Sequence, residues 1–179
     1  MKNHLVVLAL IGALVFAGTT CGKKESAPAE AAAEAAGPSA QPAASGAEAA
    51  ENLGQKIGSS YLETLKQVVG MLNDKPAADD VKAMLTDMKS WTIDLMVDLG
   101  KERETMSVED RATVDRVLSN RIASVPAELF KEYQDVQAFY KDDSELFNLI
   151  ADFNIITQYA NFDLLKKQLP EEAKRLGIQ

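Results

Sequence analysis

The chain has 179 residues, 46% of them hydrophobic but only 6% aromatic, and a formal net charge of −8. That length allows one ordinary domain once any processed segment is removed. The acidic balance argues against nucleic acid as a partner: it repels phosphate, and the one local basic cluster (Lys166, Lys167, Lys174, Arg175) is interrupted by Glu171 and Glu172.

In chain order, the first element is a targeting segment. Lys2 and His4 make a short polar start, and residues 5–17 form an apolar run of 13. Such a run is too short to span a bilayer comfortably and right for a signal core. Gly18, Thr19 and Thr20 then lead to Cys21, the single cysteine. Small residues just before a cysteine at this spot resemble the lipobox of bacterial lipoproteins. The resemblance covers the first 21 residues. It implies a signal peptide over 1–20, cleavage before Cys21, and lipidation of Cys21 with acyl chains such as palmitate. Gly22 after the cysteine implies, by the same resemblance, the outer membrane, facing the periplasm or the cell surface. The other reading is ordinary secretion, with Val15 and Ala17 before the cleavage site and Cys21 left as a free thiol.

The lipidated cysteine and a tether fill residues 21–51. Within 23–51 there are 29 residues, thirteen of them Ala, and none is Val, Ile, Leu, Met or aromatic. Such a segment has no core to offset its ordering entropy, and Pro28, Pro38 and Pro42 limit helix to fragments. It predicts a disordered spacer between the anchor and a folded domain at 52–179.

That domain reads as helix throughout, with no alternating strand pattern and no hairpin turn. The first helix is expected over 52–73, with Ile57, Tyr61, Leu65, Val68 and Leu72 on one face. Gly54 and Gly58 show the small-xxx-small spacing of membrane helices, but polar neighbours surround them. Pro76 opens the second helix, with Val81, Leu85, Met88, Trp91, Leu95 and Leu99 inward and Ile93, Met96 and Val97 widening that face. Ser107 to Asp110 reads as a capping box before a third helix, which Pro126 kinks or breaks. Asp143 and Ser144 can cap a fourth, with Leu146, Ile150, Phe153, Thr157 and Ala160 inward. Short pieces follow from Asp163 and Pro170. Short connections between amphipathic helices predict an all-α, antiparallel four-helix bundle-like domain with a short C-terminal helical extension.

Much chemistry is excluded. His4 leaves with the signal and Cys21 is taken by lipid. Nucleophile triads, His- or Cys-bound metals and disulfide exchange therefore lack a required residue. The acidic pairs Asp79–Asp80, Glu109–Asp110 and Asp142–Asp143 sit at helix starts, where the helix dipole favours anions. Met84, Met88 and Met96 could hold Cu(I), but their phase suits core filling better. No catalytic residue, cofactor or metal is expected. The expected role is a non-enzymatic protein-interaction module, held at the membrane by its anchor and serving an envelope protein partner. The alternative is a bundle that binds a small apolar or lipid-like ligand. The aromatic-rich stretch from Phe130 to Phe162 supplies the positional hint. Phe139, Phe147, Tyr159 and Phe162 are expected to include a solvent-reachable patch, because helical spacing does not turn every ring inward.

Overall fold

Among residues 46–179, which the computed structural model describes, the chain is all-α. The elements are α1 (Gly46–Leu72), α2 (Ala78–Glu104), α3 (Val108–Ala123), α4 (Ala127–Phe139), α5 (Ser144–Asp152), a 3₁₀ segment (Phe153–Ala160), α6 (Phe162–Gln168) and α7 (Pro170–Arg175). The signal segment, Cys21 and most of the expected tether lie outside the described residues.

The first helix is the hub. Ala50, Leu53, Ile57, Tyr61, Leu65, Val68 and Leu72 form its buried stripe, at spacings of three and four. Each fully buried Leu or Ile contributes about 1.5–3 kcal/mol. Within the described residues this helix already includes 46–51, ahead of the start expected near residue 52. The reason is close packing by small residues: Ala50 is fully buried, and a Cβ on Gly46 would lie 2.8 Å from Asp110 Oδ2 of α3. Gly54 and Gly58 work the same way. Added Cβ atoms there would meet the Val114 carbonyl at 2.8 Å and the Arg121 stem at 2.6 Å. The small-xxx-small spacing thus lets α3 lie close against α1. The order of these contacts, 46 with 110, 54 with 114 and 58 with 121, makes the two helices parallel. No described helix is long and apolar enough to cross a membrane.

The two turns that reverse the chain between α1 and α3 are pinned from outside. Tyr140 Oη donates to the Pro76 carbonyl at 2.8 Å, which holds the α1–α2 turn against the end of α4. At the other end Arg103 is buried, and its guanidinium donates to both oxygens of Asp115, at 2.8 and 3.2 Å, and to Glu104 at 3.1 Å. A planar fork suits that two-oxygen grip. Ser107 caps α3 by accepting from the Asp110 amide at 3.1 Å, while its hydroxyl donates to the Asp110 carboxylate at 2.8 Å. Pro126 separates α3 from α4 outright.

The expected fourth helix divides. Asp143 caps α5 by accepting from the Leu146 amide at 3.0 Å. From Phe153 the winding tightens to three residues per turn. In that geometry residues three apart eclipse, so Phe153, Ile156 and Tyr159 all point inward and are buried. A 3.6-residue period would have turned Thr157 inward instead; Thr157 is only half-buried. Tyr133 Oη donates to the Ile150 carbonyl just before the change.

Candidate functional site

The four aromatic residues singled out by sequence differ in exposure and surroundings. Phe139 is 50% exposed; its ring meets Tyr140 edge-on at 4.9 Å, and Lys75 Nζ sits 5.0 Å from its centroid. It therefore covers the same turn that Tyr140 pins. Phe147 is half-buried on α5. Phe162 is half-buried on α6 and presses on Gly100 of α2, where an added Cβ would be 2.5 Å from its ring. Tyr159 is buried, not solvent-reachable as a ring, because the 3₁₀ turn carries it inward.

The Tyr159 hydroxyl donates to Glu172 at 3.2 Å, and Arg175 grips the same carboxylate at 2.7 and 2.8 Å. Burial first, and the Glu172 charge second, push the Tyr159 hydroxyl up to about 12. Hydrogen bonds from Arg175 hold Glu172 below the usual carboxylate range. Beside them Lys89 Nζ lies 2.6 Å from Asp152. Each of these charged groups has a partner, so the cluster ties α7 to the 3₁₀ segment and α2 rather than presenting a free charge.

A different aromatic residue stands out. Trp91 was expected inward on α2, but it is 59% exposed. Met84 is 50% exposed, and Met88 and Leu95 are half-buried. These four lie at i, i+4, i+7 and i+11, a stripe about 16 Å long and about 60° wide. The buried face of α2 is carried instead by Val81, Leu85, Met96 and Leu99, and Ile93 and Val97 are buried as well. The apolar arc of α2 is therefore wider than its neighbours cover. The core-filling reading of the methionines holds for Met96 and in part for Met88; Met84 faces water.

At the Trp91–Leu95 end of this stripe lies a groove of about 370 Å³, where Ser59, Ser60, Glu63, Thr64 and Gln67 of α1 face Trp91 and Leu95. Within it Thr64 Oγ1 donates to the Ser60 carbonyl at 2.9 Å, and on α2 the buried Thr92 Oγ1 donates to that of Met88 at 2.7 Å. The α2 wall supplies apolar area with one indole. That arrangement can bury apolar surface of a partner against Trp91 and Leu95, with polar side chains of α1 opposite. The signal for it was present in the sequence. On the α2 wheel the four apolar positions are bordered on their outer side by Asp80, Asp87, Asp94 and Asp98, which marks a boundary with solvent rather than the middle of a core. Comparison with protein-family models, characterised proteins and solved structures gives no match.

Proposed function

We propose that this chain is a lipid-anchored cell-envelope lipoprotein whose helical domain is a non-enzymatic protein-interaction module. The anchor would be Cys21, holding the domain at the outer membrane on its periplasmic or outer face. The observation that carries the interaction reading is the uncovered stripe Met84, Met88, Trp91 and Leu95, with its indole 59% exposed. Large apolar side chains grouped on a surface favour burial against another protein, and Trp is prominent among interface anchors. The groove is partly open to solvent, between the exposed Trp91 and a polar wall of α1, which suits a protein partner better than a small ligand that needs enclosure.

Two measurements test the two halves. Cys21→Ala should abolish acylation and move the protein out of the detergent phase of a phase-separating extraction; wild-type protein that stays in the aqueous phase contradicts the anchor. A photo-reactive residue at position 84 or 91 of the full-length chain should give discrete protein adducts in the cells that make it. The same group at Ala83 or Ser90, exposed but off the stripe, should give few. Equal yields at all four positions, or none, contradict the interaction module.

A further inference from the structure

We infer that the occupant of the α1–α2 groove is a basic amphipathic helix of a partner protein; this rests on the interaction reading above. Three features of the groove select that chemistry.

The first is shape. The stripe steps along α2 at helical spacing for three turns, and at its Trp91–Leu95 end α1 forms a second wall. A helix laid in such a groove reads it with its own i, i+3 or i+4, i+7 residues. No strand exists among the described residues, so no sheet edge is offered to an extended peptide.

The second is charge. Asp80, Asp87, Asp94 and Asp98 line the solvent side of the stripe, all exposed, and Glu63 projects from the α1 wall. Asp98 is engaged by Lys101 at 2.8 Å, and Asp94 acts on Arg175. Asp80 and Asp87 have no cationic partner among the described residues. Lys56, one turn before Ser60 on α1, is a cation in the same helical phase as the groove wall. The rim is therefore predominantly acidic around an apolar centre, the complement of a helix with Leu-like residues on one face and Lys or Arg beside them.

The third is what that rim disfavours. A second copy docked by a twofold axis would bring the Asp80 and Asp87 row against itself, or near it, in a chain of net charge −8. Anionic lipid headgroups would meet the same repulsion.

Trp91 is the single tryptophan of the chain, so its emission reports this groove alone. The full-length chain, held in phosphatidylcholine vesicles, is titrated with an 18-residue Leu/Lys helical peptide and with a Leu/Glu peptide of the same period. The Leu/Lys peptide should move Trp91 emission to shorter wavelength and protect it from acrylamide; the Leu/Glu peptide should not. Asp80→Asn with Asp87→Asn should weaken binding at least about threefold and flatten its dependence on salt. Asp80 stands in the first turn of α2, so the pair should lower the melting temperature slightly, and binding is read well below the melting range, with circular dichroism showing unchanged helix, so that lost binding is not lost folding. An unmoved Trp91 signal, an equal response to both peptides, or binding indifferent to the two substitutions overturns the inference. So does a shift produced by raising protein concentration alone, which indicates a second copy, or by anionic vesicles alone, which indicates a membrane surface. If adducts still form from positions 84 and 91 while the peptide arms fail, the interaction module stands and the basic helix falls.

Discussion

Two glycines of one helix separate packing from backbone propensity at the residue scale. At Gly54 a Cβ would sit 2.8 Å from both the Val114 carbonyl and the Val117 Cβ, neither of them the loose end of a flexible chain. At Gly70, on the exposed side of the same helix, nothing lies within 4 Å. Alanine gains up to about 1 kcal/mol over glycine inside a helix, while overpacking a tight contact costs about 1–3 kcal/mol. Gly54→Ala should therefore lower the melting temperature by several degrees and Gly70→Ala should raise it slightly. Thermal melts followed by circular dichroism decide this; a Gly54→Ala protein as stable as wild type would mean that α3 does not lie against α1 as described. These small residues also show where sequence reading stops. Gly54 and Gly58 were visible as a spacing, but only the fold shows that α3 is the neighbour that uses it. Ala50 looked like spacer because alanine offers little apolar area, yet it is fully buried, since a small residue is what such an approach requires.

At the scale of elements, caps and breaks were legible because they are local chemistry. Ser107, Pro126 and Asp143 each stand where their side chains dictate. What was not legible is winding and neighbourhood. The shift to a three-residue turn at Phe153 depends on what its inward side meets, and the wheel of α2 gave an apolar arc without saying which part a neighbour covers. Asp143 illustrates a local device with a pH signature. Its carboxylate accepts the Leu146 amide and meets Lys82 at 3.0 Å, so it joins α5 to α2. The cap first, then Lys82, hold its pKa below the ordinary 3.8. Because the folded value is the lower one, its stabilisation is complete above the ordinary value and fades as pH falls through the folded one. Asp143→Ala should melt lower than wild type at pH 7, and the gap should narrow below about pH 4. A gap that is unchanged at pH 3 would assign the loss to something other than the charge.

For the molecule as a whole, the four tyrosines Tyr61, Tyr133, Tyr140 and Tyr159 act in concert. Burial raises each hydroxyl above its ordinary 10.0. The unfolded chain releases these protons first, so the stabilisation is complete below pH 10 and fades as pH rises through the folded values. Tyrosinate absorbance in the native protein should therefore lag behind that of the urea-unfolded chain and then rise together with loss of helix. A native titration centred near 10 would show the rings to be solvated. The functional reading depends on one further property of the whole: its elements close around α1 and one side of α2 but leave the stripe at Met84, Met88, Trp91 and Leu95 open. The direct measurement is the emission and acrylamide quenching of Trp91 in the free protein. An exposed indole should emit at the long-wavelength end of the tryptophan range and be quenched nearly as readily as a free tryptophan derivative. A short-wavelength, protected emission would mean that the stripe is already covered, and the docking face with it.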